Sequence, residues 1–388
     1  MKDFRHALFT VHLWIGLTLG VLLAALGLSG SLLVYDEAIS DFLAPPPRAA
    51  TAGPPLPLSM LSGIARDAAA SQGVDAGQLQ LILPEKKTDA LVIRVGGISP
   101  MGNVPAAGGE RRRQNTERPA RPRGLQIYLD PVSGEVLGVR SFAQPPLLTF
   151  AHQLHGNFLM SRETGRPIVG WLGAAMCLLG VSGLVLWWPK RGQWKYAFKV
   201  RRSATGLRFH RELHAATGIW IFLVFMAVSF SGMVIAWPQT LGLNGPRSGP
   251  GAMPMAGPME GKRLGATEAV IAATSAVPDI KPRSITIPAR PGQPISVNYL
   301  SHDAVNAAVL VDPHSGKVLA VRDDSERFQA WMRPVHDGTL GFVWRFLVFL
   351  SGLVPTLFIV TGLIMWWKKR QRHVPMTAMA DDLAEETA

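Results

Sequence analysis

Residues 7–35 read ALFTVHLWIGLTLGVLLAALGLSGSLLVY, and residues 213–237 read LHAATGIWIFLVFMAVSFSGMVIAW. Neither stretch contains a Lys, Arg, Asp or Glu. Both are longer than the roughly 20 residues that cross a bilayer core. Each carries a His-x-x-x-Gly near its start, His12 to Gly16 and His214 to Gly218. Each carries a Ser-Gly pair near its end, Ser29-Gly30 and Ser231-Gly232. The first is too long for the roughly 7–15-residue apolar region of a cleaved signal and reads as a retained anchor.

Two further stretches behave the same way, from Ile168 to Trp188 and from Phe346 to Trp367. They hold Ser182-Gly183 and Thr361-Gly362, and each ends in Trp-Trp followed by basic residues. Their upstream flanks match as well: His155-Gly156 precedes one and His336-Asp337-Gly338 the other. In lipid, small residues let helix backbones approach, so the Ser/Thr-Gly pairs predict close helix packing.

The segments between the spans also repeat. Ile127–Arg140 is IYLDPVSGEVLGVR and Val309–Arg322 is VLVDPHSGKVLAVR. Each reads as strand, Asp-Pro-x-x-Gly turn, strand. Upstream, LQLILP at 79–84 and LVIRV at 91–95 answer SITIP at 284–288 and ISVNY at 295–299. Candidate helices precede them at Ser59–Ser71 and Thr267–Val277. The predicted fold is a membrane protein with four transmembrane α-helices in a bundle and two outer α+β domains, made by an internal parallel duplication of span, domain, span.

The boundaries are helix 1 at 1–36, outer domain 1 at 37–150, and an interfacial segment plus helix 2 at 151–189. A basic loop at 190–206, helix 3 at 207–238 and outer domain 2 at 239–330 follow. A second interfacial segment with helix 4 at 331–368 and a tail at 369–388 complete the chain. Pro167 is expected to break the helix between His155 and the second span, leaving His155 on a short half-buried helix.

Only 17% of the 388 residues are charged, well under the roughly 25% of soluble domains. The net charge of +12 would suit nucleic acid, but its placement explains it otherwise. Lys and Arg concentrate at 2–5, 190–211 and 368–372. Short basic connections stay on the cytoplasmic side, so both termini are expected there, with 36–167 and 238–345 outside. Membrane lipid, and no nucleic acid, is the expected partner. A single cysteine, Cys177, excludes a disulfide framework, a four-cysteine metal site and C-x-x-C-H haem attachment. Six arginines at 111–123 read as a mobile loop or an electropositive collar, and three methionines at 253–259 as a linker or a soft-metal patch.

Of ten histidines, seven lie in or beside the spans: His6, His12, His152, His155, His210, His214 and His336. Ionisable groups there are costly and usually functional. They fall into one set near each face, with few carboxylates, which suits neither a hydrolytic zinc site nor a proton relay. Facing imidazoles in a helix bundle suit six-coordinate haem b. Repeat equivalence pairs His12 with His214 and His155 with His336 as ligands of two haems, with His152 and His210 in reserve. Gly16 and Gly218, one turn from their histidines, leave room for a porphyrin. Arg162, Arg166, Arg333 and Arg345 at the outer set, and Arg5, Arg208 and Arg211 at the inner, suit propionates.

These motifs together resemble the PepSY-associated transmembrane-helix family, and within it the inner-membrane ferric-siderophore reductases of the FoxB type. That resemblance implies two periplasmic PepSY-like domains in the bacterial inner membrane, haem, and one-electron reduction of ferric siderophore. No G-x-G-x-x-G opens a helix after a strand. The electron donor is therefore a separate quinol or soluble reductase. The residues alone leave open a siderophore permease, a regulatory or binding membrane protein, and an electron-transfer subunit for another acceptor.

Overall fold

The computed structural model describes residues 2–74, 76–96, 124–141, 144–237, 263–290, 292–301, 305–325 and 327–371. The arginine-rich stretch at 111–123 and the methionines at 253–259 lie outside them. In chain order the first half holds α1 (Lys2–Leu33), α2 (Asp36–Leu43), α3 (Leu58–Ser71), β1 (Leu79–Ile82), β2 (Leu91–Val95), β3 (Leu125–Leu129), β4 (Val136–Ser141), α4 (Pro146–Asn157) and α5 (Arg162–Trp187). After α6 (Trp194–Ala197) the second half holds α7 (Gly206–Ala236), α8 (Ala266–Ala276), β5 (Ser284–Ile287), β6 (Ile295–Ser301), β7 (Val305–Val311), β8 (Val318–Asp323), α9 (Phe328–Asp337) and α10 (Phe342–Gln371).

The chain divides into two compact units. One contains the four long helices with α4 and α9, the other the strands with α3 and α8.

In the helical unit, α1, α5, α7 and α10 are each long and apolar enough to cross a membrane. α1 packs on α10, α10 on α7, α7 on α5 and α5 on α1, which closes a four-helix ring. α1 and α7 stand across it from each other. Small residues do bring backbones together, but not the ones the sequence suggests. Gly27 and Gly352 meet where α1 crosses α10, and Ser31 Oγ donates to the Phe349 carbonyl (2.7 Å). Between α5 and α7, Gly170 receives the Trp237 ring and Gly180 the Met226 thioether.

Pro167 does not break α5, which runs unbroken from Arg162. The proline stands only six residues in, where its ring meets the first helical turn alone. Ser161 caps that turn by accepting from Thr164 N–H. α4 is nevertheless a separate short helix, as expected for the segment carrying His155.

The strand unit departs from the two separate outer domains that the sequence suggests. All eight strands form one antiparallel sheet in the order β4-β3-β2-β1-β5-β6-β7-β8. The join is β1 against β5, with Leu79 opposite Ile287 and Ile82 opposite Ser284. The physical reason is the edge. As separate four-stranded sheets, β1 and β5 would each leave a row of backbone groups unpaired, and pairing them satisfies both.

Alternation puts Leu79, Leu81, Ile93, Ile127, Ile285, Val297 and Val309 on one face. That face buries against Leu61, Ala65 and Ala69 of α3 and Ala266, Ala269 and Ala273 of α8. The matched Asp-Pro turns are alike in detail: both hairpins carry a register shift one step before the aspartate, at Tyr128/Leu129 and at Leu310/Val311.

Candidate functional site

The helical unit brings four histidines together as two facing pairs. His12 on α1 and His214 on α7 have ring centres 6.4 Å apart, inclined at 70°. His155 on α4 and His336 on α9 have ring centres 5.8 Å apart, inclined at 39°. The pairing is the one that repeat equivalence predicts.

Each ring is held by its Nδ1. His12 Nδ1 lies 2.8 Å from Ser182 Oγ, and His214 Nδ1 2.8 Å from Thr361 Oγ1. Those hydroxyls already donate their own hydrogens, Ser182 to the Leu179 carbonyl and Thr361 to the Leu357 carbonyl. With the hydroxyls so engaged, the imidazoles donate from Nδ1, the tautomer that leaves Nε2 free to ligate a metal. The other pair reaches the same state by a different route. His155 Nδ1 donates to the Leu26 carbonyl (2.9 Å) and His336 Nδ1 to the Val228 carbonyl (2.9 Å). A carbonyl can only accept, so here too Nε2 has no proton. Orienting partners of this kind are what metal-ligating histidines characteristically have.

The Ser/Thr-Gly pairs thus serve the histidines rather than helix packing. Ser182 and Thr361 orient two rings. Gly30 and Gly232 make niches for the other two, because a Cβ on Gly30 would stand 2.6 Å from the His155 ring and one on Gly232 2.7 Å from that of His336. A small residue beside a hydroxyl serves either purpose, and only the cross-helix distance tells them apart.

The His155 and His336 Nε2 atoms face each other at 3.5 Å. Two bare nitrogen lone pairs at that distance repel unless a cation stands between them. On α4 and α9, outside the four spans, burial holds both imidazoles below their ordinary value, and the nearby His336 adds to this at His155. Both are neutral at pH 7, the form that ligates a metal.

Between His12 and His214 opens a cavity of about 940 Å³, at the upper end of the ~300–1,000 Å³ usual for cofactor sites. Gly16, Gly183, Gly218 and Gly362 all line it. A Cβ on Gly16 or Gly362 would meet nothing within 4 Å, and one on Gly218 only the Phe358 ring at 3.6 Å.

The His12–His214 site has the spacing and the space for a haem. Metal–imidazole bonds of ~2.0–2.1 Å place two rings on opposite sides of one metal with centres roughly 6 Å apart. Both pairs match that spacing. The second pair needs its Nε2 atoms to open from 3.5 Å to ~4 Å for opposite ligation. Among the described residues no group of three or more His, Cys, Asp and Glu side chains is placed to hold a metal ion, so the candidate ligands come only in twos.

The remaining expected residues sit apart from the pairs. His152 Nδ1 is bonded to the Leu148 carbonyl of its own helix, and its Nε2 points toward Asp36 at 3.8 Å. His210 stacks edge-on to Phe209, and His6 is exposed. Neither reserve histidine enters a pair. Arg166 donates to the Ile235 carbonyl (2.8 Å), Arg333 lies 3.5 Å from Asp337, and Arg162 is exposed at the start of α5. Arg345 packs over Gly338, whose φ of 79° suits glycine. At the matching bend after α4, Phe158 and Leu159 adopt φ of 52° and 60°, a costly backbone for side chains of that size.

A comparison with known families matches residues 9–369 to the PepSY-associated TM region. No curated protein matches the chain.

Proposed function

The chain belongs to the PepSY-associated TM region family, and on that premise we propose that this multi-pass membrane protein carries electrons through the bilayer on two b-type haems and reduces ferric iron held by a siderophore. The carrying observation is the pair of facing imidazole sites, all four rings locked with Nε2 bare. His12 and His214 hold one haem, His155 and His336 the other. Haem, when bound, supplies a one-electron carrier. The protein's part is to fix ring orientation, exclude water and set the stacking of the two sites. Leu26 lies fourteen residues beyond His12 and Val228 fourteen beyond His214, so each route from one site to the other follows about 21 Å of helix.

The basic connections at 2–5, 190–211 and 368–372 support a topology with both termini in the cytoplasm and the strand-bearing segments in the periplasm of a bacterial inner membrane. The donor is then a quinol or a soluble reductase. The acceptor is ferric siderophore, whose hard oxygen donors hold Fe(III) far better than Fe(II). One electron converts Fe(III) to Fe(II), breaks no bond in the siderophore, and loosens its grip on the metal.

The test uses purified protein, reduced with dithionite and desalted without air. Ferric siderophore should reoxidise it and release Fe(II) that a ferrous chelator traps. The gallium complex of the same siderophore should leave it reduced, because Ga(III) has no accessible one-electron reduction. Protein that stays reduced in excess ferric siderophore, yet is oxidised at once by a quinone, is an electron-transfer subunit for another acceptor.

A further inference from the structure

The cavity between His12 and His214 is graded along its length. Toward the middle of the bundle its walls are apolar, with Leu23, Met176, Phe222 and Phe225. Toward the start of α7 and the end of α10 they include Arg208, Arg211 and Lys369, and among the described residues no carboxylate lines the cavity.

The three cations are not equivalent. Arg208 is committed, its Nε donating to Glu212 Oε1 at 2.9 Å while Arg201 holds the same carboxylate. Arg211 has no ion-pair partner among the described residues. Among the described residues, Lys369 has no ion-pair partner and stands over the Phe9 ring, 5.7 Å from Nζ to the centroid. Arg5, expected from sequence to join this set, instead donates to the Leu186 carbonyl and is not on the wall. Arg211 precedes His214 by three residues, so it shares the face of α7 that presents the imidazole. Both side chains are exposed at the rim of the apolar cavity, where two anionic groups on one ligand could each meet a cation.

We propose that Arg211 and Lys369 are a clamp for the two carboxylates of one amphipathic ligand whose apolar body lies between His12 and His214. Resting on the haem reading above, this assigns the orientation of that haem: both propionates point to the end of the bundle formed by the start of α7 and the end of α10. Arg211 and Lys369 are positioning residues. They select a dianionic tetrapyrrole over a neutral one, and their charge favours the reduced state of the iron.

The test uses full-length protein made without haem and carrying His336→Ala, so that one site remains. It is titrated with haem and with haem dimethyl ester, in which both carboxylates are neutral. Haem should bind at least tenfold more tightly than the ester. Arg211→Gln with Lys369→Gln should erase that preference, keep the six-coordinate low-spin spectrum, and move the midpoint potential to a more negative value. Arg211→Lys should retain most of the preference, and Lys369→Gln alone should lose part of it, which guards against a double variant that fails to fold. Equal affinity for haem and ester in the parent, or a preference that survives the double substitution, overturns the clamp while leaving haem binding intact. A protein that gives no six-coordinate spectrum with either compound refutes the haem reading, and the clamp with it.

Discussion

Ser182 and Thr361 decide which nitrogen of His12 and His214 faces the cavity, because each hydroxyl spends its hydrogen on its own helix and has only lone pairs to offer the ring. Thr361→Val keeps the shape and removes the acceptor. The ring then loses its tether, and affinity at that site should fall by roughly 10–100-fold. The measurement is the rate at which haem leaves for a scavenging globin; Thr361→Ser should restore it, and an unchanged rate in Thr361→Val would remove the hydroxyl from the account. The facing histidines were legible in the sequence, since four of them recur at matched places of the two halves. Their orienting partners were not. Ser182 is 170 positions from His12 and Thr361 147 from His214, and nothing local in either segment marks the contact.

At the scale of elements, the Asp-Pro-x-x-Gly hairpins were legible down to their turns, because an aspartate that caps its own turn is a local event. Asp312 accepts from His314 and Ser315 N–H, as Asp130 does from Val132 and Ser133. The second oxygen of Asp130 takes the N–H groups of Ala50 and Thr51, tying the segment before α3 to the sheet. Burial alone would raise this carboxyl, but those backbone donors outweigh it and hold it below the ordinary carboxylate range. A depressed value means that the ionised form stabilises the fold above the unfolded value of ~3.9 and that this contribution is lost as the pH falls below it. Asp130→Asn should therefore cost roughly 1–3 kcal/mol at pH 7, and the gap to the parent should narrow at pH 3. Denaturant unfolding followed at both pH values checks this; a gap that is the same at both would mean the charge is not what matters. The pairing of β1 with β5 was not legible. LQLI and SITI each read as strands, but which strand a distant segment pairs with leaves no local trace.

For the whole molecule, four charge-poor stretches and a placement of basic residues were enough to read a multi-pass membrane protein, and the family match over residues 9–369 agrees. The joining of the two segments between spans into one sheet, and the convergence of α1 with α7 and of α4 with α9 on two imidazole pairs, came only from the fold. The central claim is that those two pairs each hold a haem. The direct measurement is the absorption spectrum of purified full-length protein before and after dithionite, with haem counted per chain. The account predicts a low-spin spectrum with a split α/β region on reduction and two haems per chain, with His12→Ala and His336→Ala each removing one and leaving the other spectrum intact. A preparation that stays colourless after haem supplementation, or single variants that both keep the full haem content, would contradict it.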